Sequence, residues 1–498
     1  MDGRHRRHRL VVTAGLTLLV ASCTLTPRTP TQEQAPNIVI ITADDMGYGD
    51  LGSYGHPNIR TPHLDRMAAE GQRWTSFYAQ APVCSPSRAA LLTGRVHVRS
   101  GMFGRRQGVF FPDSRSGLPD EEVTLAEALG ELGYATGIVG KWHLGHLPQY
   151  LPTRHGFDSW YGIPYSNDMD QNLPEGLTNR SALFEPEIDY YQVPLIRDET
   201  EFERPTDQTT LTRRYTEEAV AFIEANRDGP FLLYLPHSMP HVPLFASSEF
   251  REQSSAGIYG DVIEEIDWSV GQVIDALERT GLSGRTLVVF TSDNGPWLSF
   301  QTHGGSSGLL RGGKGTTFEG GMRVPGIFWW PGTIEPSVTQ EIGSAMDLFT
   351  TAITLAGGQV PDDRPIDGVD LSPVLFGEGP SPRDVMAYYR MGELYAFRQG
   401  RYKVHFVTEG RYGLPPERTD HDTPLLYDLD EDPSERFDVA AELPEALDAM
   451  VAAAERYRAN MTFAEPLFDL RGGSESRGVR SARTAPVLPR DVVASWST

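Results

Sequence analysis

The sequence predicts an α/β protein with a largely parallel β-sheet, and the evidence lies in its apolar runs and in the side chains that follow them. Short runs that are apolar throughout alternate with longer amphipathic stretches, a pattern typical of strands covered by helices on both faces. Four of these runs lead into polar or ionisable residues, as expected where the carboxyl ends of parallel strands form one ligand-binding edge. A chain of 498 residues is long enough for one large domain and a smaller second one.

The predicted strands and helices occupy the chain from Asn37 onward. We expect strands at Ile38–Thr42, Ala135–Val139, Phe231–Leu235, Thr286–Thr291 and Gly326–Trp330. We expect helices at Pro62–Glu70, Ser87–Leu92, Leu125–Leu132, Arg214–Ala225, Tyr259–Leu277 and Asp347–Gly357. Shorter strand-like segments follow at Leu394–Phe397, Tyr402–Val407 and Leu425–Tyr427. The sequence therefore predicts a main domain over residues 37–379, a C-terminal subdomain over residues 380–471 and a tail over residues 472–498.

The N-terminal segment has the features of an export signal. Several arginines precede the apolar stretch Leu10–Val20, which is too short to cross a membrane, and small residues then lead into Cys23. This order resembles a bacterial lipoprotein signal, with residues 1–22 removed and a lipid attached to Cys23; a plain signal peptide is the alternative. We expect a protein exported to the bacterial periplasm or cell surface, held to a membrane only through this lipid, with residues 23–36 as a tether.

The charge and the cysteine content exclude two classes of protein. The chain has 44 basic and 67 acidic side chains and a formal net charge of −23, whereas nucleic-acid binding requires a basic surface. An anionic substrate would therefore need positive charges placed locally in its site. Cys23 and Cys84 are the only cysteines, so a scaffold held together by disulfides is excluded.

Oxygen-bearing side chains follow two of the predicted strands. The residues that follow the four strands are Asp44 and Asp45, Lys141 and His143, His237 and His241, and Asp293 and Asn294. Carboxylates and an amide carbonyl suit a hard cation such as Ca²⁺ or Mg²⁺ better than zinc, which prefers His and Cys. Alone, the aspartate pair could cap a helix and Asn294 could form a turn with the glycine after it. Their shared place at strand ends favours a metal site.

The strongest motif is Cys84-Ser85-Pro86-Ser87-Arg88, which continues to Leu92-Thr93-Gly94. It resembles the signature of the formylglycine-dependent sulfatases, Cys-x-Pro-x-Arg followed by Leu-Thr-Gly. In that family a separate maturation enzyme oxidises the cysteine to an aldehyde, formylglycine, whose hydrate is the nucleophile. One hydroxyl of the hydrate attacks sulfur, and the other allows sulfate to leave as the carbonyl re-forms. The alternative is a buried thiol at the start of a helix.

The resemblance also assigns roles to residues outside this motif. It implies Ca²⁺, with Mg²⁺ less favoured, bound by Asp44, Asp45, Asp293, Asn294 and the hydroxyl of the modified Cys84. The remaining residues that it places in the site are Lys141, Ser166 and Lys314 for sulfate binding, Arg88 beside the hydrate, His143 as the base that releases sulfate, and His241 as the acid that, with Lys314, faces the leaving oxygen. A structural role for His237 is the alternative to a catalytic one. Ser166 lies in a segment similar to the arylsulfatase A and N-acetylgalactosamine-6-sulfatase branch, although Asn167 replaces the histidine of the arylsulfatase A pattern.

The resemblance implies an alkaline phosphatase-like fold, with an antiparallel sheet in a smaller C-terminal α+β subdomain. It also implies hydrolysis of sulfate monoesters, either aryl sulfates or sulfated sugars. Trp160, Tyr161, Tyr165 and Trp297 are candidates for stacking on a sugar or aryl ring, with core packing as the alternative. Two other functions stay open from the sequence: hydrolysis of phosphate or phosphonate esters, and binding of sulfated glycans without catalysis.

Overall fold

The computed structural model describes residues 1–3 and 35–472. The predicted signal segment beyond residue 3, Cys23, the tether up to residue 34 and residues 473–498 lie outside the described part. Within the described part, no helix is both long and apolar enough to cross a membrane.

The main sheet has ten strands, and its centre is parallel. In chain order the strands are β1 (Asn37–Ala43), β2 (Gln72–Tyr78), β3 (Ala135–Val139), β4 (Ser159–Gly162), β5 (Leu195–Arg197), β6 (Thr200–Glu203), β7 (Phe231–Pro236), β8 (Thr286–Ser292), β9 (Arg323–Trp329) and β10 (Ser337–Ser344). Their order across the sheet is β10-β2-β9-β8-β1-β7-β3-β4-β5-β6. The run from β8 to β4 is parallel throughout, whereas β9 is antiparallel to both of its neighbours.

Helices cover both faces of this sheet. The helices of the described part are α1 (Pro62–Glu70), α2 (Cys84–Thr93), α3 (Leu125–Gly130), α4 (Asn179–Phe184), α5 (Leu211–Ala225), α6 (Gly257–Arg279), α7 (Glu319–Met322), α8 (Asp347–Leu355), α9 (Ser372–Leu375) and α10 (Pro444–Ala459). In β1, Val39 and Ile41 belong to the core shared with α1, α5 and α6. Ile38 and Ile40 point the other way, into the core shared with α2, α3 and α8. Because every position of β1 is buried, its sequence is apolar without alternation.

A second sheet lies in the C-terminal region. It is antiparallel and consists of β11 (Val385–Arg390), β12 (Glu393–Gln399), β13 (Tyr402–Thr408) and β14 (Thr419–Asp428). Lys403 of β13 forms buried ion pairs with Glu319 at 3.0 Å and with Glu435 at 2.9 Å. Its Nζ also donates to the carbonyl of Thr317 at 2.9 Å. The contacts with Glu319 and Thr317 attach the second sheet to the start of α7 and the residues just before it.

The structure confirms the predicted fold class and the predicted elements, with shifts at their ends. The strand expected at Gly326–Trp330 begins earlier, at Arg323, and the helix expected at Ser87–Leu92 begins at Cys84. Strands β2, β4, β5, β6, β10 and β11 were not predicted. Segment Gln72–Tyr78 mixes polar and apolar residues, and Leu195–Arg197 is only three residues long, so neither has an extended apolar run.

Candidate active site

The four strands that lead into polar residues are neighbours in the main sheet. Their order is β8-β1-β7-β3 and all four are parallel, so their carboxyl ends meet at one edge. The backbones of Asp45 and His143, just beyond β1 and β3, have φ values of 67° and 61°. Non-glycine residues seldom adopt this left-handed conformation, which occurs preferentially at functional sites. The structure thus confirms that the four strands end at one edge of the sheet.

Cys84 begins helix α2 at this edge, and its side chain is buried. Its Sγ lies 3.3 Å from Oδ1 of Asp44, 4.0 Å from Oδ1 of Asp45 and 3.6 Å from Nζ of Lys314. The helix ends at Gly94, whose φ of 66° and N–H bond to the carbonyl of Ala90 form a left-handed cap. A side chain at Gly94 would collide with the ring of Phe349. The structure therefore explains why the motif begins with Cys84, which lies among the charged groups, and why it ends with a glycine at position 94.

An unmodified thiol at this position is a weak nucleophile. Burial raises the pKa of Cys84 well above its usual value, and the negative charge of Asp44 raises it further, against the opposing effect of Lys141 and Lys314. Since the thiolate is the reactive form of cysteine, the environment keeps this sulfur protonated and unreactive.

The carboxylates around Cys84 form a group that a cation fits. One ligand atom each from Asp44, Asp45, Cys84 and His241 lies within 4.8 Å of all the others. Burial raises the pKa of Asp45 to about 7; the negative charges of Asp44 and Asp293 add to this effect, and Lys314 opposes it. Three carboxylates held this close together, one of them with a raised pKa, would be stabilised further by a divalent cation.

The other two predicted ligands border this group. The backbone N–H of Asp45 donates to Oδ1 of Asp293 at 3.2 Å, and Nδ2 of Asn294 donates to Oδ1 of Asp45 at 2.6 Å. Oδ1 of Asn294 is buried without a hydrogen-bond partner among the described residues. A buried carbonyl oxygen of this kind needs a partner, and a hard cation is a suitable one. The donor set therefore fits Ca²⁺ or Mg²⁺ better than zinc.

Three buried cations face the three carboxylates. Lys141 forms an ion pair with Asp44, and its Nζ also donates to Oγ of Ser166 at 3.2 Å. Nζ of Lys314 donates to Asp45 at 2.7 Å and lies 4.3 Å from the ring centre of Trp297. These contacts hold both ammonium groups beside Cys84.

Arg88 lies under the same carboxylates. Its Nε donates to Asp293 at 2.8 Å and its Nη1 to the carbonyl of Lys141 at 2.7 Å. Nη2 is 3.6 Å from Oδ2 of Asp44 and is buried without a hydrogen-bond partner in the described part of the chain. One guanidinium donor is thus available for a group bound at Cys84.

The contacts of His241 orient its ring. Nδ1 lies 2.6 Å from the carbonyl of Val242 and 3.1 Å from Oδ1 of Asn167, whose amide nitrogen donates to Oε1 of Gln208 at 3.1 Å. With two acceptors facing it, Nδ1 carries the proton, and Nε2 points toward Asp45 at 3.6 Å. Asn167 was noted in the sequence only as a departure from a pattern, and its positioning contact could not be read there.

The other two candidate histidines, His143 and His237, differ in whether they reach the site around Cys84. Nε2 of His143 lies 3.1 Å from the carbonyl of Phe110, so this nitrogen carries the proton and Nδ1 keeps its lone pair. Burial lowers the pKa of His143 well below its usual value, and the charges of Lys141 and Arg88 add to this effect. His237 instead forms a hydrogen bond with Oγ of Ser269 at 3.3 Å. It does not line the cavity at Cys84, which agrees with a structural role.

A cavity of about 210 Å³ opens onto Cys84. Its walls include His143, Ser166, His241 and Lys314, so the structure brings these predicted residues together. Of the four predicted stacking aromatics, Trp297 lines the cavity and the other three do not. Other residues, which the sequence did not indicate as part of a site, also line the cavity. Among them are Arg106, Asp168, Arg390, Arg411 and Tyr412.

Comparison with known proteins identifies relatives along most of the chain. The sequence matches the "Sulfatase" family over residues 36–358 and the "C-terminal region of aryl-sulfatase" over residues 381–478. It is 44% identical to arylsulfatase A of Bos taurus over 464 residues, covering 86% of this chain and 89% of that protein. It is 42% identical to N-acetylgalactosamine-6-sulfatase of Mus musculus over 450 residues, covering 84% of each.

Solved structures agree with these relationships. The PsFucS1 sulfatase from Pseudoalteromonas sp. matches with a TM-score of 0.76 and 29% identity, covering 87% of this chain and 93% of that one. Ps i-CgsB, solved with k-i-k-neocarrahexaose, has a TM-score of 0.73 and 30% identity, covering 87% and 94%. The phosphonate monoester hydrolase of Agrobacterium radiobacter shares the fold, with a TM-score of 0.57 and 22% identity over 85% of this chain and 95% of that one.

Proposed function

This chain belongs to the sulfatase family, and from that membership we propose that it hydrolyses sulfate monoesters of sugars or phenols through a formylglycine made from Cys84, beside a bound Ca²⁺. The observation that carries the proposal is the position of Cys84, 3.3 Å from Asp44 and 3.6 Å from Lys314 at the centre of a buried group of charges. Because burial keeps the unmodified thiol protonated, conversion to an aldehyde hydrate provides a nucleophile that the thiol does not.

The residues around Cys84 divide the work of the reaction. Hydrated formylglycine supplies two hydroxyl groups on one carbon, and a cation held by Asp44, Asp45, Asp293 and Asn294 supplies positive charge that lowers a hydroxyl pKa. Lys141, Ser166 and Lys314 bind the sulfate oxygens, and Arg88 donates to the nucleophile. These donors are held in place by contacts within the protein before substrate arrives, which is what electrostatic stabilisation of a transition state requires.

His143 and His241 move protons in opposite directions. Nδ1 of His143 has a lone pair and accepts a proton from the second hydroxyl, so that sulfate leaves. His241 gives a proton from Nε2 to the leaving oxygen, which requires its imidazolium form. Burial and the charge of Lys314 lower the pKa of His241, and the negative charge of a bound sulfate ester raises it again. Binding of substrate thus prepares the acid.

We predict that His241→Ala affects poor leaving groups most. The variant should lose about 10²- to 10⁴-fold in kcat/KM on a sugar 6-sulfate, whose alkoxide needs a proton. On 4-nitrophenyl sulfate the loss should be less than about 10-fold, because nitrophenolate leaves without one. Steady-state kinetics on both substrates measure the difference. His237→Ala, which removes a buried histidine outside the cavity, is the matched control; equal losses on both substrates in His241→Ala would contradict the role as acid.

Two measurements test the proposed function as a whole. A mass spectrum of the tryptic peptide Trp74–Arg88, from protein made in its own host, should contain the aldehyde at position 84. Rates on matched aryl sulfate and aryl phosphate should favour the sulfate. An unmodified cysteine together with no release of sulfate, or a large preference for phosphate, would reject the proposal.

We propose in addition that residues 1–22 direct export and that Cys23 carries a lipid. The supporting feature is the order of basic, apolar and small residues before Cys23. A maturation enzyme would act on Cys84 either before or after the protein is exported to the periplasm or cell surface. Its functional division would be a catalytic domain over residues 37–379 and a subdomain over residues 380–471. Release of Cys23→Ser protein from the membrane fraction would support the lipid anchor.

A further inference from the structure

The C-terminal sheet contributes part of the cavity wall. The loop between β13 and β14 carries Arg411 and Tyr412 to the cavity. The ring of Tyr412 lies 4.7 Å from that of Trp297, which in turn lies under Lys314. A Cβ atom placed on Gly315 would be 2.5 Å from Cγ of Arg411, so Arg411 packs on the backbone that follows Lys314. These contacts place Arg411 one residue layer outside the sulfate-binding lysine.

The guanidinium of Arg411 lies beside the ring of Tyr412, with 5.3 Å between the guanidinium carbon and the ring centre. Among residues 1–3 and 35–472, no carboxylate lies within ion-pair distance of this guanidinium. Arg106, also on the cavity wall, is exposed and uses its backbone N–H, not its guanidinium, to bond Asp469. Arg88 and Arg383, which lie deeper in the protein, differ from Arg411 and Arg106 because both form ion pairs with carboxylates.

Arg390 is the third arginine of the cavity wall, and it is compensated incompletely. Only 5% of its surface is exposed. Its Nη1 lies 3.2 Å from the carboxylate of Glu409, which also accepts a hydrogen bond from Tyr395 at 2.8 Å. Burial lowers the pKa of Arg390, and the charge of Arg411 lowers it further against the effect of Glu409. Nη1 of Arg390 also donates to the carbonyls of Glu409 and Gly410 at 3.4 and 3.3 Å. Among the described residues Glu409 thus pairs with Arg390 and no carboxylate pairs with Arg411.

This positive charge lies on the part of the cavity wall that the second sheet contributes. At the centre, Arg88, Lys141 and Lys314 face an equal number of carboxylates. Asp168, a further cavity carboxylate, lies near Lys141 and Lys314, whose charges oppose the rise in its pKa that burial causes. Within the described ranges, Arg390 and Arg411 have Glu409 as their one carboxylate, in a chain whose net charge is −23. A local basic patch on an acidic protein indicates an anionic ligand.

We propose that Arg411 and Arg390 form a second anion subsite on the part of the cavity wall that the second sheet contributes, so that the preferred substrate carries another anionic group beside the sulfate that is cleaved. This inference rests on the proposed sulfatase activity and narrows it. The group is a second sulfate or a carboxylate, because the planar fork of arginine binds the oxygens of either one. A simple aryl sulfate fills the central site and leaves this subsite empty.

Inhibition of 4-nitrophenyl sulfate hydrolysis tests the subsite. The competing ligands are N-acetylgalactosamine 6-sulfate, the corresponding 4,6-disulfate, and a disaccharide that joins a hexuronic acid to the 6-sulfate. At least one doubly anionic ligand should inhibit roughly 10- to 100-fold more tightly than the monosulfate, the range expected for charge-assisted hydrogen bonds. The ligand that gains the advantage identifies the second group as sulfate or carboxylate.

Arg411→Gln should reduce that advantage to within about threefold, measured as the ratio of the inhibition constants of the two ligands in the same variant. Arg401→Gln removes the same charge from a turn outside the cavity and should change neither this ratio nor the rate of 4-nitrophenyl sulfate hydrolysis. High salt should also weaken the advantage of the parent, a readout that needs no variant. Equal inhibition by all three ligands, or an advantage that survives Arg411→Gln, would overturn the subsite. A parent that hydrolyses no aryl sulfate would instead reject the sulfatase proposal itself.

Discussion

Replacing Cys84 with alanine is expected to lower kcat/KM for 4-nitrophenyl sulfate by on the order of 10⁵-fold, about 7 kcal/mol of transition-state stabilisation. In the proposed reaction, this one residue provides the hydroxyl that attacks sulfur and also the second hydroxyl, through which sulfate is expelled. The other groups of the site would still bind substrate, so some rate above the uncatalysed reaction should persist. Steady-state kinetics of purified parent and variant measure the change.

The fold of the variant must be shown to be intact. Cys84 is buried but small, so its loss should change the melting temperature little. Ser85→Ala is a matched control, because Ser85 is the next residue of α2, is also buried, and accepts a hydrogen bond from the backbone of Phe110 at 3.3 Å. It should keep activity within about tenfold. A Cys84→Ala protein that is folded and retains more than a few per cent of parent activity would contradict a nucleophile derived from this residue.

The fold was predictable from the sequence where strands are buried on both sides. β1, β7 and β8 are buried at every position and contain uninterrupted apolar runs, because helices cover both faces of the sheet. The strands at the margins were not found, because short or partly exposed segments such as Thr200–Glu203 carry no comparable signal. The antiparallel placement of β9 depends on pairing between distant segments, which no local pattern encodes.

The centre of the site was also predictable, for a related reason. Its carboxylates follow strands directly, so the neighbouring positions of β1 and β8 already bring Asp44 and Asp293 together. Residues that reach the cavity from elsewhere could not be found in this way. Arg411 comes from a loop of the second sheet, and its place beside Lys314 depends on how that sheet packs. Asn167 acts only through its contact with the ring of His241.

Replacing Asp45 with asparagine is expected to remove the bound cation and most of the activity. Mutating residues that only hydrogen-bond to metal ligands lowers metal affinity by about 10- to 100-fold. Loss of a carboxylate ligand should therefore weaken Ca²⁺ binding by at least about 100-fold and lower kcat/KM by a similar factor. Metal analysis of dialysed protein and kinetics at limiting Ca²⁺ measure both effects. Chelation of the parent should abolish activity, and added Ca²⁺ should restore it.

The stability of the same variant should lose its dependence on Ca²⁺. In cation-free protein burial and neighbouring carboxylates raise the pKa of Asp45 to about 7, but its carboxylate also accepts a hydrogen bond from Nζ of Lys314 at 2.7 Å. Asparagine therefore removes an unfavourable buried charge and also leaves a buried ammonium without its partner, two effects of opposite sign. With Ca²⁺ the parent gains stability from binding, and the variant does not. Asp50→Asn is the control, because Asp50 is also buried with a pKa raised to about 7 but bonds Tyr259 at 2.6 Å instead of facing the site; it should keep the Ca²⁺-dependent rise. An Asp45→Asn protein that still melts higher with Ca²⁺, to the same extent as the parent, would show that the cation is held by other residues.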